Sequence, residues 1–277
     1  MTVTAKRKKR NKKIIIRSIK LILILYCIIG FLFYYFQEKL LLHPKPLTQG
    51  YQFKFNSPFT EVNIPLNADE ILNVIEFYGK DPVKKGVVIY FHGNAENVTH
   101  YASAAEMFIK KGYEVWMPDY PGFGKTTGKI SEQKLYDQSL IVYKLARKKY
   151  NTGSIIIYGR SFGSGIAAHL ASYIPNKRLI LETPYFSIPD LFSSYVPIYP
   201  MESMSAFKMN TYKFLQDVKV PVTIFHGDAD RVIPYKCAKK LKPYLKTGDE
   251  FITIEKGGHN NLSTFPLFRE KLDSLLK

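Results

Sequence analysis

Hydrophobic and polar positions divide the chain into two unlike parts. Leu21–Phe36 (LILILYCIIGFLFYYF) is sixteen residues without a charge, and Ile14–Ile16 and Ile19 extend its apolar character backward. About 20 apolar residues cross about 30 Å of hydrocarbon, so this run predicts one membrane-spanning helix. Beyond residue 58 the pattern changes to short strand-like runs alternating with helix-like ones. Glu61–Pro65 and Ile71–Tyr78 read as an opening antiparallel pair, and Gly86–Phe91 (GVVIYF) as a strand buried on both faces. His100–Lys111 has helical spacing, Tyr113–Met117 is strand-like, Glu132–Lys149 is a long amphipathic helix and Ser154–Tyr158 is a strand. Gly163–Tyr173, Pro234–Leu245 and Leu262–Leu276 read as helices, and Arg178–Leu181, Pro221–Phe225 and Glu250–Glu255 as strands. This alternation predicts an α/β fold with a mostly parallel central sheet and helices on both faces. Ligands in such sheets sit beyond the carboxyl ends of the strands, which singles out the loops to search for chemistry.

Charge changes the picture only after it is located. The formal net charge of +17 suggests a nucleic-acid binder, yet nine basic and no acidic residues fall within Met1–Lys20. The other 257 residues carry 31 basic and 23 acidic groups without long basic runs. A short basic tail (KRKKRNKK, Lys6–Lys13) ahead of an apolar run is a topology signal, and no nucleic-acid partner is expected. Phe33–Phe36 would form an aromatic belt at the far interface, and no small-x-small cleavage site follows. The expectation is an uncleaved signal-anchor with a cytoplasmic N-terminus and an extracytoplasmic catalytic domain. The organisation expected is a basic tail over 1–18, an anchor over 19–36, a juxtamembrane linker over 37–58 and a catalytic domain over 59–277. Cys27 falls in the apolar run and Cys237 is left alone, so neither a disulfide framework nor a cysteine metal site is expected.

The strongest chemical signal is SIIIYGRSFGSG. Gly159-Arg160-Ser161-Phe162-Gly163 satisfies G-x-S-x-G. By chance the bare pattern occurs in about one such chain in ten. Here it follows a β-branched run and opens a helix, the strand–turn–helix setting of a nucleophile elbow. A nucleophilic Ser161 needs a base, and there are six histidines. His43 lies beside the membrane, His169 moves away along its helix and His100 sits inside a predicted helix. His92 and His226 each end a strand before a glycine. His259, in the turn KGGHN after the last strand, is the candidate base. Asp228 and Asp230, in PVTIFHGDADRVIP, lie just past a strand end, and spacing alone does not choose between them. The chain order is Ser, Asp, His. For the oxyanion, backbone N–H donors are expected from Phe162 and from Asn94, with Ala95 next in line.

The set HGNAEN, DYPGFGKTTG, GRSFG, HGDADRVIP and GGHNN resembles the α/β-hydrolase family across about residues 60–277. The basic tail, single span and EKLLLHPKP linker (Glu38–Pro46) are similar to its membrane-anchored, lysophospholipase-like or depalmitoylase-like branch. In that family's HGxxDxxIP pattern the acid falls on Asp230, and DYPGFG matches a structural turn. Glu96 departs from the pattern, which commonly has a second glycine there. The resemblance implies an α/β-hydrolase fold with a short cap, about 185–215, and a Ser161–His259–Asp230 triad needing no cofactor. The cap segment is rich in aromatics and methionine, suited to lipophilic ligands. The expected activity is cleavage of carboxylic ester or thioester bonds in acyl substrates, such as a membrane lipid or a lipidated protein. A serine peptidase or amidase and a non-catalytic anchored binding module are the rival readings. No metal-ligand spacing is present, and Gly124-Lys125-Thr126 lacks the earlier glycine of a P-loop.

Overall fold

In the computed structural model, which describes residues 3–81 and 83–277, a long helix leads into an eight-stranded sheet. Helix α1 (Val3–Leu41) contains Asn11–Leu41, 31 residues apolar and long enough to cross a membrane and almost wholly uncovered by protein. Met1 and Thr2 of the basic tail lie outside the described residues. The helix runs five residues into the segment read as linker.

The strands are β1 (Phe59–Pro65), β2 (Ile71–Phe77), β3 (Gly86–Phe91), β4 (Tyr113–Pro118), β5 (Ile155–Arg160), β6 (Arg178–Glu182), β7 (Val222–Gly227) and β8 (Glu250–Ile254). Their order is β1-β2-β4-β3-β5-β6-β7-β8, antiparallel at β1–β2 and β2–β4 and parallel elsewhere. The apolar runs follow from burial on both faces. Val87, Ile89, Phe91, Ile155 and Ile157 face one core; Val88, Tyr90, Ile156 and Tyr158 face the other. The first core is closed by α4 (Glu132–Arg147), α5 (Gly163–Tyr173) and α8 (Thr211–Asp217). The second is closed by α3 (Ala105–Ile109) and α10 (Pro266–Leu275), through Phe108, Phe268 and Leu272.

Three expected helices are shorter or broken. His100–Lys111 becomes α2 (Val98–Tyr101), a 3₁₀ turn and α3. The helix read over 234–245 stops as α9 (Tyr235–Lys239) and resumes as a 3₁₀ turn around Pro243, which has no N–H to continue the ladder. Pro266 starts α10 and leaves Leu262–Thr264 as a 3₁₀ turn.

Between β6 and β7, ahead of α8, lie α6 (Ile188–Tyr195), which borders Ser161 through Ile188 and Leu191, and α7 (Met201–Met204), together forming a cap. This cap rests on α1. Tyr26 stacks on Tyr199 with ring centroids 4.6 Å apart, and Phe33 meets Phe192 edge-on at 5.0 Å. Gln37, buried, donates to the Met204 carbonyl (3.0 Å) and accepts from the Ala206 N–H (2.6 Å). Positions 26, 30, 33 and 37 form one helical stripe, with Gly30 giving room for the Tyr199 ring.

Candidate active site

Strand β5 ends at Arg160, and Ser161 turns the chain into α5 with φ at +52°. The left-handed region is costly for a residue with a side chain. It is held here because the Ser161 N–H donates to the Glu182 carbonyl (2.9 Å), while its own carbonyl accepts from Ser164 N–H and Oγ at 2.9 and 2.6 Å. The flanking glycines are steric requirements. A Cβ on Gly159 would lie 2.6 Å from Ala167 Cβ, and one on Gly163 would lie 2.2 Å from the Phe91 carbonyl oxygen.

The loops after β7 and β8 bring two more groups to this elbow. His259 Nε2 lies 2.9 Å from Ser161 Oγ, and its Nδ1 lies 2.8 Å from Asp230 Oδ2. With Nδ1–H donating to the carboxylate, the Nε2 lone pair faces the serine hydroxyl. The other carboxylate oxygen of Asp230 accepts from the N–H groups of Val232 (2.8 Å) and Ile233 (2.9 Å). Burial alone would raise the Asp230 pKa. The hydrogen bond and charge of His259 and the Ile233 N–H outweigh it, holding the carboxyl below its ordinary value. Asp228 turns the other way: its Oδ1 accepts from the Lys256 N–H at 2.6 Å, tying the acid loop to the histidine loop. The structure therefore brings Ser161, His259 and Asp230 together and leaves Asp228 outside.

His92 and His226 are engaged elsewhere. His92 bridges the Gly93 carbonyl (2.8 Å) and Asp119 (3.1 Å), and Asp119 also accepts from the Val98 N–H (2.8 Å). Residues of the DYPGFG turn thus buttress the loop after β3. His226, its pKa lowered by burial, donates Nδ1–H to the Gly227 carbonyl 2.9 Å away.

In the loop after β3, Asn94 borders Ser161. Among the described residues, the backbone N–H groups of Asn94 and Phe162 have no acceptor. Both residues line an apolar cavity of about 40 Å³ with Ser161, Leu41, Tyr185 and Leu191. Two free donors beside a hydroxyl paired to imidazole suit negative charge on a tetrahedral centre. Glu96, where the pattern commonly has glycine, takes φ of +64° and pairs with Lys45 at 3.1 Å.

Arg160 points away from this cavity into a polar one of about 510 Å³, lined by Tyr90, His100, Glu182, Asn260 and Arg269. It pairs with Glu182 (3.4 Å) and donates to Asn260 Oδ1 (3.0 Å), linking the neighbours of Ser161 and His259. Burial opposes the guanidinium charge, but Glu182 outweighs it and raises the Arg160 pKa. Neither Glu182 nor Leu41 stands out in the sequence, because each acts from a strand or helix end without a motif of its own.

Residues 82–213 match the family described as serine aminopeptidase, S33. The chain is 29% identical over 175 residues to lysophosphatidylserine lipase ABHD12 of Danio rerio, covering 56% of this chain and 46% of that one. It is 26% identical over 222 residues to protein bem46 of Schizosaccharomyces pombe, covering 74% and 73%. The Pyrococcus furiosus esterase Pf2001 superposes with a TM-score of 0.66 at 18% identity, over 85% of this chain and 97% of that one. Est1E of Butyrivibrio proteoclasticus, with ferulic acid bound, gives 0.62 at 20% identity over 78% and 96%. The chain has the α/β-hydrolase fold.

The likeness to the two esterases is one of fold. The chain spans about half the length of the first curated relatives it matches. Ser161, Asp230 and His259 follow the carboxyl ends of β5, β7 and β8 in that chain order.

Proposed function

We propose that this α/β-hydrolase is a membrane-anchored serine hydrolase that cleaves carboxylic ester or thioester bonds of acyl substrates. The observation that carries the reading is the hydrogen-bonded series Ser161 Oγ, His259 and Asp230 at 2.9 and 2.8 Å. Ser161 Oγ attacks the acyl carbonyl as His259 Nε2 takes its proton. The oxyanion faces the N–H groups of Asn94 and Phe162. Collapse expels the alcohol or thiol, which takes the proton from His259, and leaves an acyl group on Ser161. Water then repeats the sequence with the same base. Asp230, ionised, holds the imidazole tautomer and stabilises the imidazolium.

The apolar lining around Ser161 supports an acyl group on that side, and the polar cavity beyond Arg160 supports a polar leaving portion. The α1 helix supports anchoring, and its basic N-terminal side supports a cytoplasmic tail with the catalytic domain across the membrane. Protease added to intact spheroplasts is expected to digest the catalytic domain; complete protection would reverse the topology.

A serine peptidase is the second reading, favoured by the family description matched at residues 82–213. Comparing kcat/KM for acyl nitrophenyl esters, acyl thioesters and aminoacyl nitroanilides separates the two. The acyl reading expects ester and thioester turnover to exceed that of the nitroanilides by well over the intrinsic reactivity difference. The reverse order makes the chain a peptidase.

A further inference from the structure

The motif HPKPL at residues 43–47 has no place in the chemistry above, yet its alternation is unusual. Proline has no N–H, so only positions 43, 45 and 47 can donate from the backbone. All three do. His43 N–H donates to the Asn94 carbonyl (2.8 Å), Lys45 N–H to the Glu96 carbonyl (3.0 Å) and Leu47 N–H to the Gly124 carbonyl (2.7 Å). His43 and Pro44 run parallel to Ala95 and Glu96 as a two-residue ladder. The contacts continue on both sides. Asn94 Nδ2 donates to the Leu41 carbonyl, Asn97 Nδ2 to the Lys45 carbonyl (2.8 Å), and the Gly124 N–H to the Lys45 carbonyl (3.2 Å).

We propose that residues 41–47 are a strap that positions the oxyanion loop, making the end of the anchor helix a working part of the active site rather than a spacer. The proposal rests on the hydrolase reading above and deepens it. Asn94 is gripped at its side chain and, through its carbonyl, at the Asn94–Ala95 peptide, which restrains the backbone of the residue that lines the cavity with Ser161. Glu96 keeps its left-handed backbone because the strap holds its carbonyl through the Lys45 N–H. The two prolines keep the strap extended before it meets the loop, lowering the entropy lost on pairing. Gln37 supplies the other end, fastening α1 to the cap so that the strap leaves the helix at a set place.

The test uses the full chain in detergent or nanodiscs and compares Lys45→Pro with Lys45→Ala. Both remove the exposed Lys45–Glu96 ion pair, which contributes little. Only proline also removes the N–H. The expected result is a kcat for Lys45→Pro at least about tenfold below that of Lys45→Ala, toward the ~10²-fold loss of one oxyanion donor, with KM within about threefold. Amide exchange in a peptide covering Gly93–Val98 is expected to rise in Lys45→Pro only, and this readout needs no turnover. Equal kcat and equal exchange in the two variants would overturn the strap. A two-residue insertion after Gly50, where the chain has open space, guards against a folding artefact. It lengthens the connection without touching the ladder and is expected to keep kcat within about twofold, whereas the same insertion between His43 and Pro44 lowers it as Lys45→Pro does. Equal effects of the two insertions would make the segment a tether. Absence of fluorophosphonate labelling at wild-type Ser161 would instead count against the hydrolase reading, leaving the exchange result to decide the strap.

Discussion

The side-chain amide of Asn94 donates to the carbonyl of Leu41, so the loop facing Ser161 is fastened to the last residue of the apolar helix. The same Leu41 presents its side chain to the cavity beside the serine. One residue at the helix end thereby supports the oxyanion loop through its backbone and shapes the acyl space through its side chain.

Leu41→Ala is expected to enlarge that space. A cavity of about 40 Å³ holds little more than one water, about 30 Å³, so an acyl chain must displace the wall, and a longer chain more than a short one. The ratio of kcat/KM for a twelve-carbon over a four-carbon nitrophenyl ester should rise by about tenfold, in keeping with the effect of a few methylenes in an apolar pocket. An unchanged chain-length profile would remove Leu41 from the acyl wall.

Asp230→Asn is expected to lower kcat by about 10⁴-fold, because the amide no longer holds the correct imidazole tautomer. Asp228→Asn keeps an oxygen acceptor for the Lys256 N–H and should cost less than about tenfold. Steady-state kinetics of the two variants decide the matter, and a larger loss at Asp228 would reassign the acid.

His169 stacks on Tyr136 with centroids 3.6 Å apart, and burial lowers its pKa from 6.5 to about 4. The unfolded chain therefore binds a proton that the folded one refuses, and stability falls as pH drops from about 6.5 toward about 4. His169→Phe keeps the stack and should flatten this part of the Tm-against-pH curve. A parallel loss in both proteins would show that His169 does not cause it.

Gly163→Ala places a methyl 2.2 Å from the Phe91 carbonyl oxygen, where the elbow crosses the end of β3. Backbone must move, at about 1–3 kcal/mol. A Tm several degrees lower is expected, and an unchanged Tm would mean that the start of α5 and the end of β3 are not in such close contact.

Much of this architecture is legible in the sequence because it is local. GVVIYF and SIIIY announce strands buried on both faces, and GRSFG announces its own turn, since the glycines answer to close backbone approach at that spot. Asp230 and Asp228 were not separable by spacing, because their difference lies in direction: one faces His259 and the other the Lys256 N–H. The strap was hidden for a different reason. Its ladder is two residues long and joins positions about fifty apart, so it leaves no periodicity, and EKLLLHPKP reads as a juxtamembrane linker. Only the alternation of donors and prolines over 43–47 marks it. The helix breaks at Pro243 and Pro266 were present in the sequence but were outweighed by the apolar spacing around them.

The account stands on Ser161 as the nucleophile, and covalent labelling tests that most directly. Full-length protein treated with a fluorophosphonate and digested should carry the phosphonyl group on the Ser161 peptide. Ser161→Ala should carry none and should lose acyl-ester hydrolysis by about 10⁵-fold or more. Equal labelling and equal hydrolysis in the two proteins would contradict the assignment.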